Sequence, residues 1–125
     1  MQDNKTNRVF FSACLTEGYR SCAKDIKNAL RENGIVVEKK LRNTKDIWAR
    51  DYMPIQIGEN KFMRYTYRPD YLWKVESNRQ YITDNAQCDF LTGKEIVDCN
   101  VILDGGNVVV CGNKMILTEK VFAEN

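Results

Sequence analysis

Val9-Phe10-Phe11-Ser12-Ala13-Cys14-Leu15, the run from Tyr19 to Asn33, and Ile35-Val36-Val37-Glu38-Lys39 are the stretches whose reading decides the fold. The first is short, aromatic and apolar, and reads as a strand that Thr16-Glu17-Gly18 breaks. In the second, Cys22, Ile26, Ala29 and Leu30 recur at the spacing of one helical face, while Lys24, Asp25, Lys27, Arg31 and Glu32 fill the solvent side. Gly34 stands where a left-handed helix C-cap belongs, and Ile35 to Lys39 returns as a strand. A strand-helix-strand start predicts two parallel neighbours with the helix packed on one face, hence an α/β chain.

Two hairpins lie further along. Ile55-Gln56-Ile57 and Lys61-Phe62-Met63-Arg64-Tyr65 flank Gly58-Glu59-Asn60, and Val108-Val109-Val110-Cys111 and Lys114-Met115-Ile116-Leu117-Thr118 flank Gly112-Asn113. Asn60 and Asn113, Lys61 and Lys114, and Asp51 and Asp104 are each 53 positions apart. This spacing predicts a single domain over 1–125 built from two internal repeats, about 9–65 and 66–125, with mixed sheets. Related by a pseudo-rotation, the loops ahead of the two hairpins converge, and Asp51 meets Asp104. Glu95 to Leu103 reads as a further strand, Arg68-Pro69-Asp70 as a turn, and Lys74 to Leu91 as the place for a weak helix.

Bulk properties narrow the functions. The chain has 125 residues, 43% hydrophobic and 29% charged, with a net charge of +2 spread along its length. That suits a globular domain and lacks the basic stripe of a nucleic-acid binder. No apolar run nears the ~20 residues of a membrane span, and the polar start Met1-Gln2-Asp3-Asn4-Lys5 has no signal-peptide core. The expected setting is cytoplasmic, with no nucleic acid and no membrane as partners. Cys14, Cys22, Cys88, Cys99 and Cys111 are odd in number and contain no C-x-x-C pair, so buried free thiols are expected. Histidine is absent, which removes the commonest general acid/base and, with it, much zinc chemistry; no cofactor or metal is expected.

The chemistry concentrates in Asp46-Ile47-Trp48-Ala49-Arg50-Asp51-Tyr52-Met53-Pro54 and Leu103-Asp104-Gly105-Gly106-Asn107. A guanidinium is flat, cationic and rich in donors, and its site needs a carboxylate for paired contact and a π-face for stacking. Trp48 and Asp51 supply both from one loop, with Asp104 as the second acid. Asp46, Arg50, Gly105, Gly106 and Asn107 support them: Arg50 by holding a carboxylate or carbonyl, the glycines by allowing positive φ and close approach of a ligand. Taken singly, each has a plainer reading. Trp48 is a core aromatic, Asp51 a turn or cap acceptor, Asp46 a cap or a partner of Arg50, and Gly105-Gly106 a tight turn. Cys111 sits at a hairpin tip without a base to activate it, which argues against a nucleophile. Tyr65, Tyr67, Tyr71 and Trp73 read as a satellite of the core or as an aromatic lid.

The pattern Asp-x-Trp-x-Arg-Asp-x-x-Pro over Asp46–Pro54, with Asp104-Gly-Gly-Asn107 and Leu117-Thr118-Glu119-Lys120-Val121-Phe122, resembles the agmatine deiminase and bacterial peptidylarginine deiminase family. The likeness runs from about Val9 to the C-terminus. It implies a partial pentein-like fold, an α/β propeller of which about two ββαβ-type units are here. In that family a cysteine attacks the guanidinium carbon, a histidine serves as acid/base, and two acids clamp the guanidinium nitrogens, giving a ureido group and ammonia. The resemblance implies a substrate-binding role for Asp51, a pocket-lining role for Trp48 and a supporting one for Asp104. The family's catalytic histidine and its cysteine after a late Gly-Gly-Asn would lie beyond residue 125. Aligning Asp104–Asn107 with that late motif leaves Cys111 one residue out of register. The expectation is therefore a deiminase-like guanidinium-binding domain, inactive alone. Its ligand would be a small guanidino compound (agmatine or arginine) or a peptidyl-arginine side chain. A homo-oligomer or partner chain would cover an open sheet edge. The alternative is a non-catalytic protein-interaction or arginine-binding module.

Overall fold

A computed structural model describes residues 7–87 and 92–125. The chain is mixed α/β. Strand β1 (Arg8–Val9) is followed by helices α1 (Ala13–Gly18) and α2 (Arg20–Glu32), then β2 (Val36–Val37). Strands β1 and β2 pair in parallel, as the strand-helix-strand reading requires, and Gly34 has φ +71° at the end of α2. The expected first strand is shorter than its apolar run. Ser12 is fully buried and its hydroxyl accepts from the Leu15 N–H at 2.9 Å, so an N-cap starts α1 where Cys14 and Leu15 would have continued the strand.

Helix α2 buries Ala23, and Lys27 lays its ammonium over the Phe11 ring at 5.4 Å. The predicted apolar stripe is only partly covered: Leu30 is half-buried, while Cys22, Ile26 and Ala29 are exposed. The two-stranded β1–β2 sheet beneath is too narrow to cover the whole stripe. The thiols depart from expectation in the same sense. Cys22 and Cys111 are exposed and Cys14 and Cys99 half-buried, all four free; Cys88 lies outside the described residues.

After α3 (Ala49–Tyr52), β3 (Ile55–Gln56) and β4 (Lys61–Thr66) form the first hairpin, and β5 (Glu95–Ile102) joins β4 in parallel. The sheet order β3-β4-β5 leaves β5 at an edge. Register jumps from Arg64↔Asp98 to Thr66↔Ile102, so β5 bulges, and the Asn85 side chain donates to the Tyr65 carbonyl at 2.7 Å beside the break. Strands β6 (Val108–Cys111) and β7 (Lys114–Leu117) make the second hairpin, with Gly112 at φ +62° in its turn. The chain closes on α5 (Lys120–Glu124). The hairpins differ by one residue in pairing. Ile55 faces Met63, but Val108 faces Leu117, because a two-residue turn replaces a three-residue one.

Between the hairpins, α4 (Asp70–Trp73) precedes short 3₁₀ segments at Glu76–Tyr81 and Asn85–Gln87, in place of one weak helix; the rest of that expected span, 88–91, lies outside the described residues. Trp73 carries guanidinium groups at 5.0 Å (Arg68) and 4.5 Å (Arg79) from its ring centroid. The main core gathers Leu41, Tyr52, Tyr65, Tyr67, Leu103, Val108 and Val121, beneath the two loops singled out above. Tyr65 and Tyr67 thus belong to the core, whereas Tyr71 and Trp73 lie at the surface. No helix among the described residues is long and apolar enough to cross a membrane.

Candidate functional site

The core tyrosines explain how the Trp48 loop is held. Burying a phenol requires a partner for its hydroxyl. The Tyr65 hydroxyl reaches the Asp51 carbonyl at 2.6 Å and the Met53 carbonyl at 3.0 Å, supporting α3 from below. The Tyr52 hydroxyl points to the Asp46 carbonyl at 3.4 Å, and its ring meets Tyr67 edge-on, centroids 5.8 Å apart. The Asp46 carboxylate accepts from the Trp48 N–H at 2.8 Å, which bends the chain ahead of the α3 turn. Asp46 therefore does serve as a local acceptor. Its second oxygen takes no hydrogen bond among the described residues.

The second loop docks on the first. Arg50 donates from Nε to the Gly105 carbonyl at 3.2 Å and from Nη2 to the Val108 carbonyl at 2.8 Å. The Asp51 carboxylate accepts from the Gly106 N–H through Oδ1 at 3.1 Å. Neither Gly105 nor Gly106 adopts a positive φ. Their lack of a side chain instead admits the protein's own groups: a Cβ on Gly105 would collide with the Arg50 carbonyl and the Tyr65 hydroxyl, and one on Gly106 with the Asp51 carboxylate. These glycines are needed because two loops press together, rather than for a special dihedral.

Three carboxylates from two loops come into electrostatic range. Burial first, and then the Asp104 charge, raise the Asp51 carboxyl above the ordinary Asp value, against the Gly106 N–H, Arg50 and Lys120, which lower it. Burial also raises Asp46, with Asp51 adding to the effect and the Trp48 N–H opposing it. Trp48 is 62% exposed, so it is not a core aromatic, and no ring or cation of the described residues stacks on it. The loop accordingly presents an open indole and, in the same nine residues, the half-buried carboxylates of Asp46 and Asp51.

Asp104 is placed differently. Its side chain is 14% exposed, and Oδ2 accepts from Lys120 Nζ at 2.7 Å, with the Asn107 amide at 3.5 Å. Its Oδ1 is buried without a hydrogen-bond partner among the described residues. Lys120 also reaches Glu124 Oε1 at 3.0 Å and Asp70 Oδ1 at 3.5 Å. Burial works to lower the Lys120 ammonium, but its bonds to Asp104 and Glu124 outweigh that and hold it above the ordinary range. Lys120 and Tyr65 are the participants that sequence reading missed. Tyr65 lies on β4 and Tyr67, two positions on, lies just past its end, the alternation of an inward face, which signals a core position. Nothing local signals the pairing of Lys120 with Asp104, which depends on where α5 packs.

Of two surface grooves, the larger takes Ala49, Arg50, Met53 and Pro54 of the Trp48 loop into its wall. One of about 580 Å³ follows the β4–β5 bulge, and one of about 960 Å³ runs past Val9, Ile55 and Phe62; Asp51, Trp48 and Asp104 line neither. Among the described residues no group of three or more His, Cys, Asp or Glu side chains is arranged to hold a metal. Cys111 stands at the exposed tip of the β6–β7 hairpin, paired across the strand with Lys114, outside the Asp104 loop. No family model matches the chain, nor does any curated protein or solved structure.

Proposed function

We propose that this chain is a deiminase-like guanidinium-binding unit, part of a pentein-like propeller, that binds without hydrolysing. The observation that carries the reading is the half-buried Asp51 carboxylate in the same short loop as the 62% exposed Trp48. Asp51 Oδ1 is fixed by the Gly106 N–H, and Oδ2 takes no hydrogen bond among the described residues. A carboxylate with one uncommitted oxygen can accept from one edge of a guanidinium, and an exposed indole in the same loop offers a face to stack on. Asp46, with its own uncommitted oxygen, adds negative charge next to it. With no histidine in 125 residues, Cys111 at its exposed tip has no imidazole to activate it for attack on the guanidinium carbon. The ligand class is agmatine, arginine or a peptidyl-arginine side chain.

Calorimetric titration with agmatine and arginine, run beside an ammonia-release assay, tests this. Binding without ammonia is the expected result; absence of binding overturns the guanidinium reading, and ammonia release overturns the non-catalytic part. A second reading, an arginine-binding interaction module, draws on the outward Val109 and Ile116, the 75% exposed Phe122 and the outer edge of β5, which pairs with no further strand among the described residues. It expects tighter binding of an arginine peptide than of free arginine.

A further inference from the structure

Lys120 is the feature that the guanidinium reading does not absorb. An ammonium has three donors. In Lys120 they are directed at Asp104 Oδ2 (2.7 Å), Glu124 Oε1 (3.0 Å) and Asp70 Oδ1 (3.5 Å). The remaining oxygens of Asp104 and Glu124 are buried without hydrogen-bond partners among the described residues. One lysine therefore serves three carboxylates, and as it stands Asp104 turns no oxygen toward a ligand: Oδ1 is buried and Oδ2 is on Lys120. Yet Asp104 sits one residue before the Gly105-Gly106 pair that touches Arg50 and Asp51, and its charge is felt at Asp51. The Lys120 side chain is 34% exposed at the start of α5, so its head can swing into water without unpacking the helix.

We propose that Lys120 is a built-in competitor for Asp104: its ammonium holds the carboxylate that a ligand cation would otherwise share with Asp51, and so sets how tightly the site takes a guanidinium. This rests on the guanidinium reading of the site. Removing the charge at Lys120 does two things in the same direction. It abolishes repulsion between an ammonium and the incoming cation, and it leaves Asp104 Oδ2 with at most a neutral donor that a cation can displace. A unit charge a few ångströms from a partly screened ligand changes affinity on the order of tenfold.

The test is titration of methylguanidine, a monocation, into wild type, Lys120→Gln, Lys120→Met and the double variant Asp104→Asn/Lys120→Met at pH 7.5 and low salt. Lys120→Gln keeps donors for Asp104 and Glu124, so it preserves a folded protein even where Lys120→Met, which strands two carboxylates, does not. Each protein's fold is checked by circular dichroism and thermal unfolding. The expected result is tightening of about tenfold in Lys120→Gln, lost on raising the salt, and affinity within about twofold of wild type in the double variant, where no carboxylate has been freed. Wild-type binding with equal or weaker binding by a folded Lys120→Gln overturns the role of Lys120 and leaves the guanidinium site standing. Equal tightening in the double variant reduces the effect to simple repulsion and overturns the competition for Asp104. No binding by any variant overturns both.

Discussion

Asp51→Asn should separate binding from stability. In the folded chain Asp51 Oδ1 accepts one N–H, from Gly106 at 3.1 Å, and an asparagine carbonyl can accept the same bond. The substitution removes a charge that burial and Asp104 both disfavour, and loses only the attraction of Arg50 and Lys120. The sign follows from linkage. The folded-state pKa lies above the ordinary value, so the native state binds protons more readily, and stability falls as pH rises through that window. At pH 7 the wild type therefore carries a cost that Asp51→Asn lacks. The variant should be as stable as wild type or better, and the difference should vanish on acidification below the raised pKa. Binding should move the other way. A charge-assisted hydrogen bond contributes roughly 1.5–3 kcal/mol, so losing it weakens guanidino ligands by about 10- to 100-fold. Urea unfolding at pH 7 and pH 4, with calorimetric titration of agmatine at pH 7, measures both. Retained affinity in a variant destabilised by more than about 1.5 kcal/mol would show Asp51 to be a structural acceptor and refute the reasoning.

Three further outcomes follow from the same geometry. Gly105→Ala should cost about 3 kcal/mol, because its methyl group meets the Arg50 carbonyl and the Tyr65 hydroxyl; a melting temperature unchanged from wild type would mean the loops do not press together. Tyr65→Phe removes the O–H beneath the Asp51 and Met53 carbonyls and should cost roughly 1–2 kcal/mol by urea unfolding, with weaker agmatine binding as the Asp51 loop loosens; a neutral variant would contradict this. Agmatine affinity, titrated from pH 8 downward, should fall at a pH above that of an ordinary Asp, with proton release on binding in that window, since the ligand requires an ionised Asp51; a profile flat to pH 4 would exclude Asp51 as its partner.

Sheet closure is where local patterning and packing part company. Alternating apolar residues and turn glycines made both hairpins legible, including Gly112 at positive φ, because those elements depend on neighbours in sequence. Helix α2 and the parallel β1–β2 pair were legible for the same reason. The extent of the first strand was not, since the Ser12 cap competes with the strand propensity of the residues that follow it. The one-residue difference between the hairpin registers was hidden too: a constant offset along the sequence says nothing about turn length.

In the candidate site, the sequence by itself determined which side chains were available: Trp48, Asp46 and Asp51 in one loop, Asp104 with two glycines in the other, and no histidine anywhere. It also determined the local bend, because an Asp two residues before Trp48 can accept that residue's N–H. Only the tertiary structure decided what those side chains do. Arg50 spends its donors on the carbonyls of Gly105 and Val108, more than fifty positions away. Tyr65 props the Asp51 loop from β4, and Lys120 takes Asp104 from α5. Each of these depends on where distant elements pack, and long-range electrostatics and sterics leave no periodic trace in a sequence. The exposure of Trp48 is of the same kind: an indole is apolar enough for a core, and only the finished arrangement around Tyr52, Tyr65 and Tyr67 leaves it in the open.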